Sequence, residues 1–155
     1  IEPKLAYLIF IFRSLKPAAA RDVFLRLGVK RAYYSSIEAV SRVRRDFVKR
    51  LDSCNILPSE VYRILSVFNS ESLVFLMARH AAHKNVCRNI KQFLLDYNFK
   101  KISISGDDLK GIGLTPGAVY DLILKKVFYA HIDGQVLNRQ EELELARKLA
   151  KKLTS

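Results

Sequence analysis

Residues 105–134 read SGDDLKGIGLTPGAVYDLILKKVFYAHIDG, the pattern of a short helix, a glycine turn and a longer helix. Ser105, followed three positions later by Asp108, forms a capping box, which satisfies the free N–H groups at the start of a helix. Gly111 and Gly113 are expected to end that helix, because glycine readily adopts the left-handed torsions that stop a helix. The segment therefore predicts two helices joined by a tight Gly-Ile-Gly turn.

The second helix of this unit is predicted to begin with Thr115 as its N-cap and Pro116 at its first position. A glycine turn followed by a helix N-terminus can present backbone N–H groups to an anion. Lys110, Lys125 and Lys126 lie near the turn in sequence and add positive charge. The pattern favours a phosphate as the bound anion. The alternative is a turn whose only role is to join two helices.

Outside this unit the apolar residues recur with the period of a helix, and alternating strand patterns are nearly absent. Predicted helices cover 3–15, 17–27, 31–51, 58–68, 71–82, 85–98 and a last segment from Arg139. Ser70 is the expected cap of the helix over 71–82, and Asn138 with Glu141 forms a second capping box. The helix over 3–15 is apolar on all sides, which predicts that it is buried.

These segments predict an all-α protein of about eight to nine helices, an irregular helical bundle with a C-terminal helical subdomain. The best subdomain boundary separates a helical body, residues 1–83, from a helical tail, residues 84–155, which contains the Gly-Ile-Gly turn. No low-complexity tract or clear repeat interrupts the chain, so this boundary rests on the helix pattern alone.

The charge balance is strongly basic. Half of the 155 residues are apolar, and 27 basic against 15 acidic residues give a net charge of +12, which favours a polyanionic partner. The longest apolar run, Leu5–Phe12, is far shorter than the roughly 20 residues that span a bilayer. Cys54 and Cys87 do not form a disulfide framework, and no secretory signal is evident. We therefore expect a cytoplasmic protein without a membrane partner. Because the first residue is not Met, we also expect a piece of a longer chain.

Positive charge is concentrated in residues 1–53, which hold 12 basic and 5 acidic residues. Two predicted helices carry basic residues in a line along one face. These residues are Arg42, Arg45 and Lys49 in the first line and Lys84, Arg88 and Lys91 in the second. Each line is either a track for phosphates or an ordinary solvated face, since Asp46 could pair with a neighbouring arginine.

No catalytic or metal-binding set emerges from the residue pattern. Asp107 and Asp108 are adjacent, so on a helix their side chains diverge by about 100° and cannot share one ion in the usual way. His80, His83 and Cys87 are the remaining candidates for a metal, and they lack an evident fourth ligand. We predict neither a catalytic residue nor a metal site in this chain.

Several short motifs in the second half of the chain belong together. They are Gly106-Asp107-Asp108-Leu109, Gly113, Pro116-Gly117, Leu124, Asp133-Gly134 and the acidic segment Glu141–Ala146. Their order and spacing resemble the C-terminal part of bacterial-type CCA-adding tRNA nucleotidyltransferases and their poly(A) polymerase relatives. That family has approximately Gly-Lys-Asp-Leu, Leu-Gly-x-x-Pro-Gly and Leu-Asp-Gly before acidic residues. Asp107 and Ala118 depart from this pattern, where the family more often has Lys and a second Pro.

The resemblance implies that helical body and tail regions grip a tRNA, mainly through its backbone, while a separate head performs nucleotidyl transfer. The head's Asp-x-Asp motif and the neck's Glu-Asp-x-x-Arg motif are not found in this sequence. The resemblance thus implies a non-catalytic, tRNA-gripping portion that positions the RNA 3′ end for a head domain of the same parent chain. Mg²⁺ and nucleotide are expected only in that head, with no cofactor in this chain.

Eight residues are the expected RNA contacts. They are Arg42, Arg45, Lys49, Lys110, Gly111, Gly113, Lys125 and Lys126. Two other functions remain open at this point. Residues 109–123 also match the general pattern of a helix-hairpin-helix module, which would hold duplex DNA without sequence preference. A helical interaction domain for an acidic protein or membrane surface is less favoured, because no strongly basic amphipathic helix with exposed Trp is present.

Overall fold

A computed structural model describes residues 3–12, 15–28, 31–43 and 45–154, and within these ranges every regular element is a helix. The prediction of an all-α protein is confirmed. The ten α-helices are α1 (Pro3–Phe12), α2 (Pro17–Arg26), α3 (Arg31–Ser41), α4 (Arg45–Leu51), α5 (Pro58–Leu65), α6 (Ser70–Arg79), α7 (Lys84–Leu95), α8 (Gly106–Gly111), α9 (Ala118–Ile132) and α10 (Arg139–Thr154). A 3₁₀ turn, Tyr97–Phe99, follows α7.

The helices form two compact units. Unit 1 comprises Ile1–Ile56 and Glu60–Asn98, and unit 2 comprises Leu57–Ser59 and Phe99–Ser155. The boundary predicted from sequence lies between residues 83 and 84, just before α7. In the structure α7 packs in unit 1, because its apolar side chains enter the core of that unit. These side chains are Val86, Ile90 and Phe93.

The core of unit 1 is built by one face of each long helix. Leu5 and Ile9 of α1, Phe24 of α2 and Leu76 of α6 are almost fully buried. The prediction that the first helix is buried on all sides is wrong: Tyr7, Phe10 and Ile11 are more than half exposed. Within α1 only one side meets α3 and α6, so apolar composition alone did not identify the buried face. Arg13 and Ser14 of the predicted helix 3–15 lie outside the described residues.

The predicted long helix over 31–51 is two helices, α3 and α4. Near the end of α3 the Ser41 hydroxyl donates to the Glu38 carbonyl at 2.8 Å, and the Val43 N–H bonds to the Val40 carbonyl. A side-chain donor on a helical carbonyl and an i→i−3 bond both tighten and end a helix. The apolar period of the sequence did not reveal this break, because apolar residues recur with the period of a helix on both sides of it. Arg44, between them, lies outside the described residues.

The N-cap of α6 is Asn69 and not the predicted Ser70. The Asn69 Oδ1 accepts from the Ser72 N–H at 3.0 Å, and the Asn69 amide also donates to the Ser36 hydroxyl at 2.7 Å. Both residues are good caps in isolation. Asn69 takes the role because its side chain also reaches α3, a contact that depends on the tertiary structure.

Unit 2 packs α8, α9 and α10 around Leu109, Ile123, Val127 and Ala146. The capping box predicted at the start of α8 is confirmed. Helix α9 begins at Ala118 after an extended Gly117, so the predicted start at Thr115 is wrong. The Tyr120 hydroxyl donates to the Leu114 carbonyl at 2.9 Å. Residues 114–117 therefore form the turn between α8 and α9.

Within the described residues, no single helix is long and apolar enough to span a membrane, although the sharply bent pair α5 and α6 passes a test of length and composition.

Candidate nucleic-acid interface

The Gly-Ile-Gly turn closes the end of α8 with a Schellman motif. The Gly113 N–H bonds to the Lys110 carbonyl at 3.0 Å, and the Leu114 N–H bonds to the Leu109 carbonyl at 3.2 Å. Gly113 has φ +89°, the left-handed torsion that this motif requires at its C′ position. The Ile112 N–H also donates to a carbonyl within the helix, the backbone carbonyl of Asp108. The N–H groups expected to cradle a phosphate are thus donated to α8 itself.

A second Schellman motif ends α9 at the Asp133-Gly134 pair. The Gly134 N–H bonds to the His131 carbonyl at 3.1 Å, and the Gln135 N–H bonds to the Ala130 carbonyl at 2.9 Å. Gly134 has φ +73°. Gly113 and Gly134 therefore serve the same backbone function, which is to satisfy the last free carbonyls of the helix that each one follows.

Asp133 also binds Ser59, a residue of the first turn of α5 that groups with unit 2. The two Asp133 carboxylate oxygens accept from the Ser59 N–H at 2.8 Å and from the Ser59 hydroxyl at 2.7 Å. A carboxylate on an N–H of the first turn of a helix is a favourable capping arrangement. Asp133, named above only as part of a motif, is therefore a structural acid.

Asp108 and Arg139 join the start of α8 to the start of α10. The Asp108 carboxylate accepts from the Ser105 N–H at 2.8 Å and from Arg139 Nη2 at 2.5 Å. Arg139 Nη1 donates to the Ser103 carbonyl at 2.8 Å. The Ser105 N–H bond, with the nearby Arg139 guanidinium, lowers the pKa of Asp108 below its ordinary value. The Asp108 carboxylate is therefore engaged in joining α8 to α10 and not in binding a metal.

Glu142 is a charged residue with no exposed surface, and sequence reasoning did not single it out. Its Oε2 accepts from the Ser103 N–H at 2.7 Å and from the Ile104 N–H at 3.2 Å. Its Oε1 lies 3.0 Å from His131 Nδ1. The capping box predicted for Asn138 and Glu141 is present: Asn138 Nδ2 donates to Glu141 Oε1 at 2.7 Å, and the Glu141 N–H donates to Asn138 Oδ1 at 3.0 Å. Glu142 instead anchors the chain before α8.

The predicted RNA contacts in unit 2 lie on two helices. Lys110, in the last turn of α8, is exposed, and so is Gly111, which ends the helix. Lys125 and Lys126 are exposed on α9, whose buried residues include Ile123 and Val127. The Lys125 Nζ lies 6.0 Å from the centroid of the Tyr129 ring. The structure thus leaves these ammonium groups accessible to solvent.

The predicted contacts in unit 1 differ from one another in their surroundings. Arg42 Nη2 donates to Glu38 Oε1 at 2.6 Å, so its charge is already partly neutralised. Arg45 and Lys49 are exposed on α4. In the part of the chain that the structure describes, neither has a carboxylate within ion-pair distance. These two cations are therefore available to meet an external anion.

The residues considered for a metal are engaged in other contacts. His83 Nδ1 lies 2.8 Å from Asp52 Oδ2, and the Cys87 thiol points to the carbonyls of Met77 and His80. Burial lowers the pKa of His80, with the Arg79 charge adding to the effect. Over residues 3–12, 15–28, 31–43 and 45–154, no group of three or more His, Cys, Asp or Glu side chains is arranged to hold an ion.

Comparison with known proteins finds a similarity to one tRNA nucleotidyltransferase. The chain is similar to the A-adding tRNA nucleotidyltransferase of Geobacter sulfurreducens, with 26% identity over 163 aligned residues. The alignment covers 97% of this chain and 18% of that protein, so the chain spans about a fifth of its relative. No family model and no solved structure matches the chain. This similarity supports a distant link to that protein at the level of the family.

Proposed function

We propose that this chain is a non-catalytic, RNA-binding portion of a tRNA nucleotidyltransferase or poly(A) polymerase-like enzyme. It holds a folded tRNA by the phosphate backbone and positions the 3′ end for a catalytic head elsewhere in the parent protein. The observation that carries the proposal is the similarity over nearly the whole chain to a small share of a tRNA nucleotidyltransferase. Nucleotide addition, with its Mg²⁺, is assigned to the head, and the setting is the cytoplasm.

The distribution of charge supports binding to a backbone. Unit 1 holds 17 basic and 8 acidic residues, so it carries a surplus of nine of the net charge of +12. Three of its acids, Glu38, Asp52 and Glu60, already contact basic side chains of the same unit. The remaining exposed cations have phosphates as natural ligands, and folded RNA presents phosphates and 2′-hydroxyls where its deep major groove excludes side chains.

Among the cations that the sequence predicts as RNA contacts, we retain those that are exposed and form no ion pair within the described chain. They are Arg45 and Lys49 in unit 1 and Lys110, Lys125 and Lys126 in unit 2.

The Schellman motif at Gly113 bears on the helix-hairpin-helix alternative. A phosphate at this turn would have to compete with the Lys110 and Leu109 carbonyls for the Gly113 and Leu114 N–H groups. This competition disfavours the turn as the main anion site and leaves side-chain cations as the principal binding groups.

Filter binding of the chain to a folded tRNA transcript and to a DNA duplex with the same number of phosphates tests the proposal. Both titrations are run at several salt concentrations. We expect tighter binding to tRNA, with log K falling linearly with log salt. Equal affinities for the two ligands would reduce the proposal to a generic basic surface, and tighter binding to duplex DNA would favour the helix-hairpin-helix alternative.

A further inference from the structure

Three exposed basic residues lie near the contact between α4 and α7 in unit 1. Three side-chain contacts join the end of α4 to the start of α7. Asn89 Nδ2 donates to the Leu51 carbonyl at 2.8 Å, and Asn85 Nδ2 donates to the Asp52 carbonyl at 2.8 Å. His83 Nδ1 lies 2.8 Å from Asp52 Oδ2. These contacts hold the first half of α7 against the last turn of α4, since a helix end needs partners for its free carbonyls.

The residues next to these contacts are positively charged. Lys49 precedes Asp52 by three residues and lies in the last turn of α4. Lys84 stands between His83 and Asn85 at the start of α7. Arg88 follows Asn85 by three residues, which places both side chains on one side of the helix. We call Lys49, Lys84 and Arg88 the junction patch, and all three are exposed.

The cations of the junction patch form no ion pair within the described chain. Asp52, three residues after Lys49, contacts His83, and Glu60 accepts from Arg50 at 2.5 Å. Asp46 is exposed one helical turn before Lys49 on α4, and the two side chains form no ion pair. None of the patch cations has a hydrogen bond or ion pair to another described residue. These exposed ammonium and guanidinium groups are therefore available to bind the phosphates of an external polyanion.

We infer that the junction patch is the main phosphate-binding surface of unit 1 and that it takes the backbone of a folded RNA. This inference rests on the proposed function and changes its residue set. Lys84 and Arg88 are added as RNA contacts, and Arg42, which is paired with Glu38, is not a principal contact. Because Asn85 and Asn89 fix α7 to the end of α4, the patch is preorganised, which lowers the entropic cost of binding.

The test uses the full chain and a folded tRNA transcript. The triple variant Lys49→Gln, Lys84→Gln and Arg88→Gln removes the patch. We expect weaker binding at every salt concentration and a salt slope smaller in magnitude by about 2 to 3, since each phosphate that is no longer neutralised lowers the slope by roughly 0.7–0.9.

A pair of single variants shows whether position matters. Arg63→Gln is the control, because Arg63 is exposed at the end of α5, outside the patch. The matched variant Arg88→Gln should lower the slope by about 0.7–0.9, and Arg63→Gln should leave it unchanged.

Three results would separate the inference from the proposed function. If the unmodified chain binds tRNA no better than duplex DNA, the proposed function fails before the patch is tested. If the chain prefers tRNA but the triple variant keeps its slope, the inference fails and the proposed function stands. An equal weakening by Arg63→Gln and Arg88→Gln also overturns the inference, because binding would then depend on total charge and not on the patch. Circular dichroism of each variant is the control that checks whether the variant is folded.

Discussion

His131 Nδ1 lies 3.0 Å from Oε1 of Glu142, a carboxylate that has no exposed surface. The two atoms are close but do not form a hydrogen bond, because the geometry at the imidazole nitrogen is not that of a hydrogen bond to this oxygen. The other oxygen of Glu142 accepts from the Ser103 and Ile104 N–H groups. Glu142 thus links α9, α10 and the segment before α8, and its single carboxylate organises much of unit 2.

Replacing Glu142 by Ala should destabilise the protein strongly. The change leaves two backbone N–H groups without their acceptor, and each buried donor left unsatisfied costs about 1–3 kcal/mol. Glu142→Gln retains a carbonyl oxygen for the same N–H groups and should cost less. Urea denaturation followed by circular dichroism measures both effects. Glu144→Ala is the control, since Glu144 is exposed on the same helix, and a destabilisation as large as that of Glu142→Ala would contradict the assignment.

Gly113 and Gly111 should respond in opposite ways to replacement by Ala. Gly113 has φ +89°, where a Cβ is unfavourable, so Gly113→Ala should cost about 1–2 kcal/mol. Gly111 ends α8 with an ordinary helical torsion and open space around it, so Gly111→Ala should stabilise the protein by about 0.5–1 kcal/mol. Equilibrium unfolding of the two variants is the measurement. Destabilisation by both to the same extent would argue against the Schellman motif at this turn.

Acid should weaken unit 2 in part through Asp108. The Ser105 N–H bond and Arg139 lower its pKa in the folded state, so its contribution is present above the ordinary Asp pKa. This contribution disappears as the pH falls through the lower, folded-state value. Thermal unfolding between about pH 6 and 2.5 should therefore depend less on pH in Asp108→Asn than in the unmodified chain.

The control for this pH dependence is Asp107→Asn. This change removes an equal charge from the same turn without the contacts to Ser105 and Arg139, so it should leave the pH dependence nearly as it is. An unchanged pH dependence in Asp108→Asn would refute the role of Asp108.

The cap of α6 provides a direct comparison of two neighbouring candidates. Asn69→Ala removes the acceptor of the Ser72 N–H and should cost about 1 kcal/mol, the usual value for an N-cap. Ser70→Ala, at the cap predicted from sequence, should change stability by less than half of that. Chemical denaturation of both variants decides the point, and a larger effect at Ser70 would make Ser70 the cap.

Lys125 and Lys126 should contribute to RNA binding without selecting a sequence. Each is exposed on α9, so Lys125→Gln or Lys126→Gln should lower the salt slope of tRNA binding by about 0.7–0.9. The weakening should be the same for several tRNA transcripts, because phosphates carry no base identity. Lys148→Gln, an exposed lysine on α10, is the matched control. A variant that binds and titrates like the unmodified chain would remove its residue from the interface.

Local patterns in the sequence were enough to establish the helical class, most of the helix starts and the resemblance that the comparison supports. The period of the apolar residues predicts a helix, Ser105 with Asp108 predicts its cap, and a glycine after a helix predicts its end. These features follow from the sequence because the free energies of helix formation and capping depend mainly on neighbouring residues. The composition also gave the net charge of +12, but it could not show which cations remain unpaired.

The role of each motif residue depended on contacts between distant parts of the chain. Glu142 sits among three acids that look alike in sequence, and its burial depends on Ser103, Ile104 and His131. Asn69 caps α6 in preference to Ser70 because it also reaches Ser36. Such arrangements arise only from packing between helices, since the hydrophobic pattern of one helix carries no information about the polar groups of its partner.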